Sequence, residues 1–430
     1  MKNNLKLNVT TKVCYNMLMD ESSRFVTGID LGTENVRAVV LKANKDGIAV
    51  VGYNEGKSNG MRKGIPANLA GPAGAVDKTL EEAERLSGFE IREAVVNING
   101  SQVLSTKTEG MIAVGTVEHE ITYEDLDRVE DVAVTGRIPA NRDVLDVVPL
   151  EYILDNQRGI KDPLGMSGSR LEMRANVISA LTPNCENLKK LMQSAEVAVQ
   201  RLVPSAVAAA RAVLTERQKE NGVAVIDFGA ATTSIAVYEE GDLQYVDVVP
   251  AGSNNITNDL AIVLAIDPET AEEIKLRFVT GDFTTEKSPI IKVGREGKER
   301  HFERKEVNEV VKARLEDIFG EVRKKLKAAK YDQRLPEGIV LTGGGANMRD
   351  LDLFAKQALE ASVKIGIPKG LGGVADKIEK PEYAAAVGLA LLAVDEADSD
   401  PTPKSTKKSP KAPKLGAGPL GFLKKLFSKF

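Results

Sequence analysis

Two aspartates, Asp30 and Asp227, each stand two residues before a glycine, Gly32 and Gly229, in stretches that read alike. Residues 28–41 are G-I-D-L-G-T-E-N-V-R-A-V-V-L and residues 225–238 are V-I-D-F-G-A-A-T-T-S-I-A-V-Y, an offset of 227 − 30 = 197 residues. The residue types suit phosphate chemistry. Gly lets the backbone approach a ligand closely, and the N–H groups of such a hairpin can cradle phosphate oxygens. An Asp at the end of the strand can hold Mg²⁺, which keeps most of its waters and takes few protein ligands. The first copy adds Thr33, Glu34 and Asn35, and the second Ala230 and Thr232. A lone copy is equally an ordinary hairpin with a turn glycine. Two copies facing each other would clamp a triphosphate, with Asp30 and Asp227 toward the metal. Each needs the same elements to position it: an apolar strand ending in Asp, a tight turn, and an alternating strand.

A third element fits the clamp. Residues 338–347, G-I-V-L-T-G-G-G-A-N, are an apolar strand running into Gly343, Gly344 and Gly345, then Ala346 and a helical pattern. Consecutive glycines favour neither strand nor helix, and the helix start offers free N–H groups. The run is either a flexible turn or a flat surface on which a base or ribose packs. It matches neither the G-x-G-x-x-G fingerprint nor the P-loop. Glu272 and Lys275 share a helix face at i,i+3, which by itself is a surface ion pair worth a few tenths of a kcal/mol.

The paired Asp-x-Gly hairpins and the late G-G-G-A together resemble the actin-like ATPase superfamily. In that superfamily a Glu and a Lys spaced like Glu272 and Lys275 flank the ribose and base. The resemblance implies an α/β fold of two duplicated ribonuclease-H-like cores, with ATP and Mg²⁺ as ligands.

Composition narrows the classes. The 430 residues, 42% of them hydrophobic, suffice for two or three domains. With no Trp, the cores must be built from Val, Ile, Leu and Ala. Cys14 and Cys185 lack any CxxC context, which fits a reducing compartment. His119 and His301 are the only histidines, which argues against a zinc site or a His-based triad. The net charge of −4 is uneven: residues 402–430 carry eight lysines and no acid, leaving −4 − 8 = −12 for residues 1–401. An acidic body argues against nucleic-acid binding, and a basic tail points to an anionic surface. No run of 18 apolar residues is present to span a membrane. Residues 1–24 read as a disordered extension or an over-long start rather than a signal peptide.

The tail has its own pattern. Pro, Ser, Lys and Gly dominate after Asp400, as in a linker too polar to offset its ordering entropy. Then Phe422, Leu423, Leu426, Phe427 and Phe430 form one helical stripe, with Lys424, Lys425, Ser428 and Lys429 opposite. Ten residues make a marginal helix in water. The stripe needs an apolar partner, either the protein's own body or a lipid surface. The long linker and the wholly basic polar face favour anionic lipid, held reversibly and more firmly when chains are linked.

Between the hairpins, residues 94–115 show two strands around Asn99-Gly100, and Thr122 to Thr135 a helix with Thr122 as N-cap, Asp125 in the capping box and Gly136 as stop. Residues 143–155 and 171–180 read as strands around a hinge containing Pro163, Gly165 and Gly168. The run I-K-D-P-L-G-M-S-G-S-R-L-E resembles the signature of the FtsA family, actin-like proteins that tether the FtsZ division ring to the inner membrane. The likeness covers Phe25 to about Val394 plus the terminal helix. Asn176 departs from it, since the family often has His there.

The resemblance implies subdomain 1C in place of actin's 1B. The first core (1A) would be 25–94 and 178–203, 1C 95–177, the second core (2A) 204–257 and 316–394, and 2B 258–315. A linker at 395–418 and an amphipathic membrane-targeting helix at 419–430 would follow. It also implies self-association into filaments through 1C, binding of the FtsZ C-terminal peptide on 2B, recruitment of later division proteins, and a peripheral location on the cytoplasmic membrane face at the septum. Lys305 and Arg314 are the candidate peptide contacts, since basic residues suit an acidic tail; the stretch is equally an ordinary solvated helix. Relatives resembling MreB carry a catalytic Glu before a Pro where the chain crosses between domains. Here that position, before Pro204, is Val203, which cannot orient water. The expectation is ATP binding with slow turnover at most. Two other readings share the fold: a pilus-assembly protein resembling PilM, and a small-molecule kinase.

Overall fold

The structure is a computed structural model and describes residues 23–284, 288–294 and 299–399. The described residues fall into two units divided after Val394. The expected N-terminal extension, linker and terminal helix, with Phe422 to Phe430, lie outside the described residues.

The first lobe is built on a six-stranded sheet ordered Ala198–Pro204, Glu93–Ile98, Arg24–Leu31, Asn35–Asn44, Gly47–Lys57 and Gly372–Gly373. The second has five strands: Asp242–Val249, Thr233–Glu239, Val223–Phe228, Ile339–Thr342 and Val363–Ile365. Both place the Asp-bearing strand between an antiparallel hairpin partner and a parallel neighbour. The duplication extends to register: Asp30 pairs with Arg37 and Asp227 with Ser234, again 234 − 37 = 197 residues apart. Val223–Phe228 is buried at every residue, as expected of a strand covered on both faces.

The insertion is a four-stranded sheet ordered Leu104–Ala113, Arg170–Leu181, Arg142–Leu154 and Gln157–Ile160. The helix Tyr123–Val134 packs on it through Val129 and Ala133 against Leu171, Met173 and Ala175. Its N-terminus carries the expected capping box: Asp125 N–H donates to Thr122 Oγ1, and Thr122 N–H donates to Asp125 Oδ2 at 3.1 Å.

Three of the expected boundaries move. Glu93–Ile98 lies inside the first-lobe sheet, because Val203 and Pro204 pair in parallel with Asn97 and Ile98, so the insertion begins after Ile98 rather than at 95. The last segment returns to the first lobe instead of staying in the second. Ile378, Tyr383, Ala386, Val387, Leu391 and Val394 share a core with Val39, Leu41 and Val50. Gly28 permits this, since a Cβ there would overlap the backbone of Ala386 and Ala390. In the second lobe Arg304–Ala328 is one unbroken 25-residue helix across the expected 315/316 boundary. It buries Val307, Val311, Leu315, Phe319 and Val322 in the second-lobe core. Beside it lies the two-stranded sheet Ile290–Val293 with Arg300–Glu303.

Candidate functional site

The two hairpins face each other across a cleft of about 490 Å³. Asp30, Gly32, Thr33, Glu34 and Asn35 line it from the first lobe, and Asp227, Gly229, Ala230 and Thr232 from the second. Glu272, Lys275, Gly343, Gly344 and Gly345 complete the second-lobe wall. Ala346 does not reach the cleft: it is 4% exposed and packs into the second-lobe core. The helical start expected after the glycines is a short 3₁₀ turn, Gly344–Asn347, and the α-helix begins only at Leu351.

Glycine matters most at Gly343. Its φ of +86° favours Gly, and a Cβ there would overlap Asp227 Oδ1. At Gly32 a Cβ would fall 2.5 Å from the Asn35 carbonyl oxygen, closing the first turn. The backbone is therefore bare where a polyanion would lie.

The two aspartates are held differently. Asp30 Oδ1 accepts 2.7 Å from Asn97 Nδ2, and Arg37 Nη1 stands 3.9 Å from Oδ2. Asn97 is 3% exposed; it also accepts from Leu31 N–H at 2.6 Å and donates to Ser205 Oγ at 3.0 Å. Asp227 has no hydrogen-bonding side chain among the described residues. Burial pushes the Asp30 carboxyl up to about 6, with Arg37 opposing and Glu55 adding to the rise. Burial pushes Asp227 up to about 7, with the Asp30 charge adding to it and Arg37 opposing. Two buried carboxylates that resist ionisation together are a natural seat for a divalent cation.

Polar groups cross the cleft. Glu34 accepts from Lys57 Nζ at 3.0 Å on its own lobe and from Asn254 Nδ2 at 3.2 Å on the other. Its carboxyl lies below the usual range: burial opposes this, but the bonds from Lys57 and Asn254 and the charges of Lys57 and Lys275 outweigh it. Asn99 Nδ2 donates to Thr232 Oγ1 at 3.0 Å. The Glu272–Lys275 pair forms at 2.7 Å, and Lys275 Nζ also donates to Thr257 Oγ1 at 2.9 Å. Lys275 is 8% exposed, so the pair is part of the cleft wall rather than a solvated surface contact.

Sequence reasoning missed Arg37, Asn97, Asn99 and Asn254. A signal for two of them was present in Asn97-Ile98-Asn99, polar residues alternating at the end of an apolar strand. Lys305 and Arg314 do not form one patch. Nine positions apart (314 − 305 = 9) at about 100° each, they take opposite sides of one helix. Arg314 is engaged bidentately by Asp259 at 2.6 and 3.0 Å, whereas the Lys305 side chain is 86% exposed. Val203, 2% exposed, packs with Val95, Ala208 and Leu389 and offers the cleft no polar atom.

Duplicated lobes with hairpins across a cleft define an actin-like protein. Solved structures agree on the fold. The PilM–PilN type IV pilus biogenesis complex aligns with TM-score 0.63 at 18% identity, covering 86% of this chain and 98% of that one. MreB5 of Spiroplasma citri bound to ADP aligns with TM-score 0.50 at 14% identity, covering 88% and 99%. The family model for cell division protein FtsA matches residues 224–388, and that for the SHS2 domain inserted in FtsA matches residues 100–179, the four-stranded insertion. Among relatives, cell division protein FtsA of Pseudomonas aeruginosa is 33% identical over 408 residues, covering 92% of this chain and 96% of its own. That of Escherichia coli K12 is 30% identical over 387 residues, covering 87% and 91%. The chain belongs to the FtsA family and is an actin-like cell-division protein.

Proposed function

We propose that this cell-division protein binds Mg²⁺–ATP in the interlobe cleft and acts as a polymerising tether between FtsZ filaments and the cytoplasmic membrane. The observation that carries the nucleotide reading is the pairing of Asp30 and Asp227 beside bare glycine turns on opposing lobes. The residues fit a magnesium nucleotide. Two buried carboxylates can hold the hydrated metal, and the backbone of Gly32–Asn35 and Gly229–Thr232 can meet the phosphates. Gly343–Gly345 on one side and the Glu272–Lys275 pair on the other suit the base and ribose. When bound, the nucleotide would supply phosphate oxygens for the backbone N–H groups of both glycine turns, and the chain's residues would orient it and shield it from water.

Turnover should be slow. Val203 is apolar, Glu34 is already engaged by Lys57 and Asn254, and Thr232 by Asn99. None of these three is poised to deprotonate water, and the Asp30 and Asp227 carboxylates are the ones proposed to be taken up by the metal. Among the described residues no helix is long and apolar enough to cross a membrane. The basic stripe at 419–430 would supply attachment at the cytoplasmic face of the septum. The inserted sheet would carry self-association, and the region around 258–315 the FtsZ C-terminal peptide, with Lys305 the better placed of its two candidate contacts. Later division proteins would be recruited to the assembled filament.

Calorimetry with Mg²⁺–ATP, joined to co-sedimentation with phosphatidylglycerol vesicles and FtsZ C-terminal peptide, tests this reading. Saturable nucleotide binding, and vesicle binding lost on removing residues 419–430, are expected. A chain that binds vesicles without the tail and ignores ATP would refute it.

A further inference from the structure

The inserted subdomain begins at residue 100 by its family match, and Asn99 is the last residue before it. Asn99 lines the cleft from the first lobe, yet its side chain bonds the second. Nδ2 donates to Thr232 Oγ1 at 3.0 Å, and Oδ1 accepts from Ser234 Oγ at 3.0 Å. Thr232 is at the turn of the second Asp-x-Gly hairpin and Ser234 faces Asp227 across its strands. From behind, Gly64 closes on Asn99 so tightly that a Cβ would lie 2.9 Å from it, and Gly64 N–H donates to Thr33 Oγ1 at 3.2 Å. One side chain therefore touches the second hairpin and is braced from the first.

A continuous set of hydrogen bonds leads on into the insertion. Gln102 Nε2 donates to the Asn99 carbonyl. Arg142 Nη2 donates to the Gln102 carbonyl at 2.6 Å, and the same guanidinium donates to Ser179 Oγ at 2.9 Å and to the Ser179 carbonyl at 2.8 Å. Arg142 and Ser179 lie on two central strands of the inserted sheet.

The insertion also touches the second lobe along its edge strand, Asp242–Val249. Ser105 Oγ donates to the Val246 carbonyl at 3.1 Å and accepts from Val246 N–H at 2.9 Å. Lys107 Nζ donates to Gln244 Oε1 at 3.3 Å, and Asn176 Nδ2 to the Leu243 carbonyl at 2.8 Å. These polar links run beside apolar ones, since Leu243, Val246 and Val248 share a hydrophobic cluster with the insertion's Ile178, and among the described residues Asn176 Oδ1 is buried there with no hydrogen-bond partner. Burying an unpaired carbonyl costs free energy, and neutral hydrogen bonds give back little net. The unmet acceptor at Asn176 leaves the polar part of this seam room to tighten.

We propose that Asn99 is a positioning residue that ties the state of the nucleotide cleft to the inserted subdomain: a ligand that draws the second hairpin toward the first pulls on Asn99 and tightens the seam along Asp242–Val249. This rests on nucleotide binding in the cleft as proposed above.

The Val246 amide is the natural reporter, because it donates to the insertion's Ser105 rather than to its own sheet. Amide hydrogen exchange is followed in the full chain with and without saturating Mg²⁺–AMPPNP, with binding measured by calorimetry on the same samples. In the unsubstituted protein Val246 exchange should slow about tenfold, in the range of ordinary intersite coupling. Asn99→Ala, and Asn99→Asp, which keeps the acceptor for Ser234 but loses the donor to Thr232, should each show less than a twofold change at saturation. Ser105→Ala should exchange fast in both states, which checks the reporter. Nucleotide binding with unchanged Val246 exchange overturns the coupling alone, as does a full tenfold response in both Asn99 variants. Absence of nucleotide binding in the unsubstituted protein overturns the cleft reading and the coupling with it.

Discussion

The two hairpins are copies in sequence and register, yet their aspartates live in different surroundings. Asp30 is gripped by Asn97 and faced by Arg37, while Asp227 is backed by Gly343 and, among the described residues, has no hydrogen-bonding side chain. Duplication conserves a backbone shape; it does not conserve what surrounds it. The first lobe holds its carboxylate in place before any ligand arrives. The second keeps a carboxylate that burial and the Asp30 charge make costly to ionise.

The sharpest way to break this comparison is to remove the unheld partner. Asp227→Asn should lower Mg²⁺-dependent nucleotide affinity by about 100-fold or more in calorimetry, since a buried charge facing the metal is lost. An effect under threefold would show that Asp227 is a structural group. Gly343→Ala comes next, with an expected loss of about 10- to 100-fold, because the added methyl displaces Asp227 from beneath and strains a left-handed turn. Gly320→Ala, on the helix Arg304–Ala328 away from the cleft, where a Cβ would meet nothing within 4 Å, is the control and should bind normally.

The pH dependence of the ligand-free protein sharpens the contrast further. Both carboxyls are raised above their unfolded value, near 6 for Asp30 and near 7 for Asp227. The folded chain thus holds more protons than the unfolded one between about pH 4 and 7. Their contribution is present in full below pH 4 and is lost as pH rises through 6 and 7. Thermal unfolding without nucleotide should therefore fall by several degrees between pH 5 and 8 on account of this pair. Asp227→Asn should flatten most of that slope, Asp30→Asn less of it. The smallest effect expected is that of Asn97→Ala, which leaves Leu31 N–H and Asp30 without a buried partner and should cost about 1–3 kcal/mol in denaturant unfolding.

What was legible in the sequence is what local spacing encodes. Strand-turn-strand repeats, the glycine run and the Thr122–Asp125 cap are written in neighbouring residues, and they lie where that spacing places them. The illegible parts depend on which distant segments meet. Gly28 reads as a strand glycine until Ala386 and Ala390 are seen to lie against it. Asn97 and Asn99 acquire roles only because Ser205, Thr232 and Ser234 are brought beside them from more than a hundred residues away. Lys305 and Arg314 are both candidate peptide contacts in linear order, but the helix that carries them sets them on opposite sides. Ala346 follows the glycines in sequence, and the 3₁₀ turn points it into the core instead.

The most direct measurement is a crystal structure grown with Mn²⁺ and a non-hydrolysable ATP analogue, read through manganese anomalous scattering. The account predicts a single peak between the Asp30 and Asp227 carboxylates, directly or through one water, with phosphates on both glycine turns. A nucleotide bound elsewhere, or a metal whose shell includes neither carboxylate, would contradict it.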